Sequence, residues 1–90
     1  MLRITTEKKS RVLTFRLEGR LEGPELPLLL GCWRRELARL GKRRICVDLT
    51  SVTFIGPDGK ALLAQLHKEG AGFVACDPMT KAILAEILGQ

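Results

Sequence analysis

The sequence predicts an α/β domain with the element order β-β-α-β-α-β-α, a four-stranded mixed sheet with packed helices. Three observations predict it. Residues 12–19 alternate apolar and polar side chains, the period of a half-buried strand. Three later segments repeat apolar residues at three- and four-residue steps, the period of a helix with one buried stripe. Short apolar runs at residues 45–49 and 73–76 separate those helical segments, so strands and helices alternate along the second half of the chain. Strand-helix-strand units require right-handed crossovers, which makes the last three strands parallel and sets the first antiparallel beside them.

The elements follow in order. Residues 2–7 alternate weakly, and residues 12–19 more clearly, with Leu13, Phe15 and Leu17 on one side and Thr14, Arg16 and Glu18 on the other. Lys8-Lys9-Ser10 is short and polar and connects the two strands as a hairpin. Gly23-Pro24 punctuates the chain. Leu26, Leu29, Leu30, Trp33, Leu37 and Leu40 then form the stripe of a first helix, with Pro27 in its first turn. Gly41 is its expected stop, and Arg39 and Lys42 suit the negative end of the helix dipole. Ile45-Cys46-Val47-Asp48-Leu49 is apolar at successive positions, which predicts a strand covered on both faces. A second helix opens at Ile55-Gly56-Pro57-Asp58-Gly59, buries Leu62, Leu63 and Leu66, and ends at Gly70. After the strand at 73–76, Asp77-Pro78 supplies an N-cap and a proline at the first helical position. Ile83, Leu84, Ile87 and Leu88 are the expected buried face of the last helix.

Ninety residues are expected to form one domain, residues 1–90, with a single core. No apolar run approaches the roughly 18 residues of a membrane span, and the first residues carry no signal-peptide core, so a cytoplasmic protein is expected. Cys32, Cys46 and Cys76 show no C-x-x-C spacing and read as small buried hydrophobes in a reducing compartment. No cofactor or metal is expected, because the one histidine, His67, lies among charged residues and reads as a solvated surface group. Gly56-Pro57-Asp58-Gly59-Lys60 lacks the length and the Ser or Thr of a phosphate-binding loop. Without a convergent acid, base, nucleophile or ligand set, the chain does not read as an enzyme.

The net charge of +5 is uneven: residues 1–45 hold twelve Lys or Arg against five acids. The cluster Arg34, Arg35, Arg39, Lys42, Arg43 and Arg44 raises nucleic acid or an anionic membrane as partners. Aromatic residues interleaved for base stacking are missing, and most of the cluster reads as the wet side of the first helix. Nucleic-acid binding is the weaker reading. A membrane is expected only indirectly, through a partner.

The most informative stretch is Arg43-Arg44-Ile45-Cys46-Val47-Asp48-Leu49-Thr50-Ser51-Val52-Thr53-Phe54-Ile55-Gly56-Pro57-Asp58-Gly59-Lys60-Ala61-Leu62-Leu63. It resembles the STAS domain family, typified by the anti-sigma-factor antagonists of bacteria. Members of that family show an apolar strand ending in Asp-Leu, a Val-x-Phe-Ile turn, and Asp-Ser-Ser-Gly opening a helix. Leu17-Glu18-Gly19-Arg20-Leu21-Glu22 is similar to the family's Gly-x-Leu-Asp turn, with Glu22 in place of the aspartate. The resemblance implies a STAS-like fold and a regulatory module that binds protein. Its expected docking surface is the loop Phe54, Ile55, Gly56, Pro57, Asp58 and Gly59, with Lys60 and Gln65 beside it and Glu22 on the neighbouring turn. Two partner classes follow from the resemblance: an anti-sigma factor or serine kinase controlling transcription, or a component of a membrane lipid-transport or signalling complex. A small-ligand sensor is a third possibility.

The departures from the family pattern are as informative. Pro57 stands where switching antagonists carry the phosphorylated serine, and proline has no hydroxyl, so no phosphosite is expected there. Asp58 in the first helical turn brings a permanent negative charge toward the positive helix end. It reads equally as a good helix start or as a fixed charge near the spot that relatives charge on demand. In the second reading the module is constitutive, or regulated by means other than phosphate on this loop.

Overall fold

A computed structural model describes residues 2–41 and 43–89 of the chain. Lys42, expected to face the end of the first helix, lies outside the described residues. The strands are β1 (Leu2–Lys8), β2 (Val12–Leu21), β3 (Arg44–Ile55) and β4 (Gly72–Val74). The helices are α1 (Leu26–Ala38), α2 (Pro57–Lys68) and α3 (Pro78–Leu88), and a 3-10 turn, Gly23–Glu25, leads into α1. Strand order in the sheet follows the sequence, with β1 antiparallel to β2, and β3 parallel to both β2 and β4. This is the predicted element order and pairing.

One face of the sheet builds the core. Leu13, Phe15 and Leu17 of β2 and Ile45, Val47 and Leu49 of β3 are buried together with Leu29 and Trp33 of α1, Leu63 and Leu66 of α2, and Leu84 and Ile87 of α3. Phe15 and Trp33 meet with ring centroids 5.6 Å apart. The Trp33 indole N–H donates to Glu69 at 3.1 Å, which satisfies the polar atom of a fully buried ring.

The alternate residues of the strands, Thr14, Arg16 and Glu18 with Cys46 and Asp48, are half-buried or exposed. β3 is therefore covered on one face, and the expectation of double coverage fails. Cys46 and Asp48 sit in the apolar run but point away from the helices. The cysteines depart likewise from the expected burial: Cys32 and Cys46 are half-buried and Cys76 is exposed. His67 is half-buried rather than solvated, with its ring 6.4 Å from that of Phe73.

β3 is also far longer than its apolar run. It spans 12 residues, and the stretch expected as a turn continues the strand. Two register shifts against β2 explain why the pattern hides it. Between the pairs Arg16↔Asp48 and Glu18↔Ser51, β3 advances one residue more than β2, and it does so again between Gly19↔Val52 and Arg20↔Phe54. Each extra residue is a bulge that changes which side chains face the core. The Asp48 carboxylate accepts the Thr50 N–H at 2.9 Å across the first bulge.

The helix ends conform more closely to expectation. Asp77 caps α3 by accepting the Thr80 N–H at 2.9 Å. Leu88 is an exception: it is 51% exposed, so the buried face of α3 is Thr80, Leu84 and Ile87.

Candidate functional site

The carboxyl ends of β2 and β3 come together where both strands hand over to helices. Leu21 pairs with Ile55 at the end of the ladder, and the Gly56 N–H continues it by donating to the Leu21 carbonyl at 3.1 Å. Gly56 is the N-cap of α2, Pro57 follows, and Asp58 lies in the first turn. The expected loop 54–59 is thus a strand end, a single linking residue and a helix start. Strand pairing to the last residue leaves no slack for a loop.

Two glycines make this junction possible. Gly59 is buried against β2, and a Cβ there would lie 2.1 Å from the Leu21 carbonyl oxygen. Only a residue without a side chain lets the helix start this close to the strand. A Cβ on Gly56 would lie 2.8 Å from Asp58 Oδ1 and 3.1 Å from Glu22 Cβ. Residues 56 and 59 therefore bring the turn at Glu22 and the start of α2 into contact, joining two motifs 34 residues apart in sequence.

Asp58 fastens that contact. Its Oδ2 accepts the Gly23 N–H at 2.8 Å and its Oδ1 accepts the Gly59 N–H at 3.0 Å. The Gly23 N–H first, and the Gly59 N–H second, hold the carboxyl below its ordinary range, so it carries its charge at neutral pH. The side chain is nevertheless exposed. The carboxylate thus bonds a first-turn N–H of α2 and stands exposed at the junction.

The neighbouring side chains complete the surface. Arg20 Nε donates to Glu22 Oε2 at 2.6 Å, and its guanidinium carbon sits 4.5 Å from the centroid of the Phe54 ring. Phe54, Pro57 and Asp58 are exposed, Glu22 and Ile55 are half-buried, and Gly56 and Gly59 are buried beneath them. Lys60 does not stand free beside this surface, because it turns to α3 and pairs with Glu86. Gln65 is exposed and donates to Glu69 at 2.7 Å.

Sequence reasoning missed one part of the site. A groove of about 400 Å³ runs between the starts of α1 and α2, with Leu26, Pro27, Leu30 and Leu62 on its walls and Gly23 and Asp58 at its end. Leu28 stands outside the core on α1 and is 67% exposed. In the Leu26-Pro27-Leu28-Leu29-Leu30 run the off-stripe leucine signals only the exposed Leu28, and nothing in sequence separates the groove leucines, Leu26 and Leu30, from the rest of the stripe. The junction offers apolar contact, one fixed charge and backbone shape. Its two carboxylates, Glu22 and Asp58, are already engaged, and among the described residues no hydroxyl, thiol or imidazole is bonded to them.

No protein-family model matches the chain, and no curated protein is similar to it in sequence. Solved structures share its fold. An anti-sigma factor antagonist from Mycobacterium paratuberculosis superposes with a TM-score of 0.82 at 22% identity, over 99% of this chain and 79% of that one. The anti-sigma factor antagonist SpoIIAA in its unphosphorylated form gives 0.72 at 15% identity, over 90% and 80%. An antisigma-factor antagonist STAS domain from Rhodobacter sphaeroides gives 0.61 at 16% identity, over 82% and 84%. The chain has the STAS fold of these antagonists.

Proposed function

We propose that the chain, as a single domain of residues 1–90, is a non-catalytic cytoplasmic module that regulates transcription by binding an anti-sigma factor. The observation that carries this reading is the junction of the Glu22 turn with the start of α2. There the two motifs that resemble the antagonist family meet, on a fold those antagonists share. The surface suits docking: an exposed aromatic and a shallow apolar groove adjoin a charge that needs no modification, and α1, which walls the groove, carries an exposed leucine.

The same geometry supports a constitutive module. Pro57 occupies the first position of α2, where the family's switch would carry its hydroxyl. Ser51 and Thr53 are exposed but belong to β3. The helix start is already occupied by a carboxylate, so a phosphate is not required to make it negative.

Calorimetric titration of an anti-sigma factor encoded in the same genome tests this. The unmodified protein is expected to bind, and Phe54→Ala to bind at least about tenfold more weakly, as expected for an aromatic anchor, with a stability loss of only about 1 kcal/mol from its contact with Arg20. Absence of binding, or equal binding by Phe54→Ala, rejects the reading.

A further inference from the structure

The opposite pole of the sheet carries a second surface. β2 and β3 run parallel from Val12 and Arg44 to Leu21 and Ile55, so the two poles lie roughly 30 Å apart along the strands. At the starting pole the β1–β2 turn meets the connection from α1 to β3, and the Arg44 N–H donates to the Arg11 carbonyl at 2.9 Å. Arg11 is thereby held beside Arg39, Arg43 and Arg44, and these four arginines line a cleft of about 770 Å³. The cleft continues along Val12 and Leu40 to Leu37 and Ala71, which gives it an apolar floor, and Glu69, paired with Arg34, also lines that extension.

Neutralisation within the fold does not account for these charges. The acids nearest this pole are already engaged: Glu36 with Lys8, Glu7 with Lys9 and Arg16, and Glu69 with Arg34. Among the described residues, Arg11, Arg39, Arg43 and Arg44 have no carboxylate within ion-pair distance. The carboxyl ends of α1 and α2 both point here, and each contributes about half a negative charge. Two helix ends therefore balance about one arginine of the four. The remaining positive charge faces solvent.

We infer that this cleft binds a short acidic segment of a second protein, one apolar side chain seated on the floor with carboxylates on either side. Guanidinium forks match carboxylates in bidentate geometry. An apolar floor inside a charged rim is the layout of a protein interface. A nucleic-acid backbone leaves that floor unused, and among the described residues none of the exposed large apolar side chains lines the cleft to enter a bilayer. The cleft is separate from the junction at Asp58, so the module can hold two protein segments at once.

The test uses the full chain, 15N-labelled, titrated with a blocked peptide of sequence Asp-Glu-Asp-Leu-Glu-Asp-Glu. The amides of Arg11, Val12, Leu40, Arg43 and Arg44 are expected to shift, and those of residues 54–60 to stay. Replacing the peptide leucine by serine, or making the protein variant R43E/R44E, is expected to weaken binding about tenfold. The milder R11Q/R39Q variant guards against misfolding and is expected to weaken it severalfold with an unchanged circular dichroism spectrum. Three outcomes overturn the inference: a 12-base-pair duplex or phosphatidylserine vesicles binding more tightly than the peptide, equal affinity after the leucine is replaced, or shifts confined to other residues.

Discussion

Replacing Gly59 by alanine opposes two effects of known size. Within a helix, alanine is favoured over glycine by about 0.5–1 kcal/mol. Against that stands the Leu21 carbonyl oxygen, 2.1 Å from the position of the new Cβ. The first turn of α2 must withdraw by about 1.3 Å to reach an ordinary contact. Overpacking of this kind costs about 1–3 kcal/mol. Withdrawal also stretches the Gly56 N–H bond to the same carbonyl, for a further loss of about 0.5–1.5 kcal/mol. The net loss is roughly 0.5–4 kcal/mol, against a total stability of about 5–13 kcal/mol for a domain this size. In a domain of this length the loss lowers Tm by roughly 2–30 °C. Gly31→Ala is the matched control, since a Cβ there meets nothing within 4 Å and the residue lies inside α1. It is expected to gain about 0.5–1 kcal/mol. Urea denaturation followed by far-ultraviolet circular dichroism reads both. A Gly59→Ala protein at least as stable as the parent would refute the close approach of α2 to β2.

Four further outcomes follow from the same geometry. Leu28→Asp is expected to leave the urea midpoint within about 0.5 kcal/mol, the usual range for an exposed site, yet to abolish binding of the anti-sigma factor; retained binding would remove Leu28 from the docking surface. Asp48, Asp58, Glu69 and Asp77 all have carboxyls held below their ordinary range, chiefly by N–H donors from Thr50, Gly23, Gln65 and Thr80 respectively. The unfolded chain therefore binds more protons as pH falls through about 4, so stability is full above that range and declines below it; a midpoint that rises on acidification contradicts these bonds. Burial, with the Asp48 charge adding to it, raises the Cys46 thiol, which makes stability fall as pH climbs above its ordinary range. Incubation with a serine kinase and ATP is expected to add no phosphate by intact-mass spectrometry, and an 80 Da adduct mapped to Ser51 or Thr53 would end the constitutive reading.

Local patterns made most of the fold legible. The alternation of Leu13, Phe15 and Leu17 fixed β2, and Asp77-Pro78 fixed the start of α3. The end of β3 was illegible because its two bulges break the alternation that marks a strand. Within the site, Glu22 and residues 54–60 were legible only through their resemblance to a family. What those residues do for each other was not, since the Asp58–Gly23 bond spans 35 positions and the Gly59–Leu21 contact spans the β2–β3 connection. The arginine cleft was half visible. Arg39, Arg43 and Arg44 form a run in sequence, but only the hairpin turn brings Arg11 to them.

Amide shift mapping of the labelled protein against an anti-sigma factor from its own genome reads the docking surface directly. Perturbations clustered on Glu22, Gly23, Leu28 and residues 54–60 are the predicted result. Shifts confined to the open sheet face around Arg16 and Asp48, with those residues silent, would contradict the assignment.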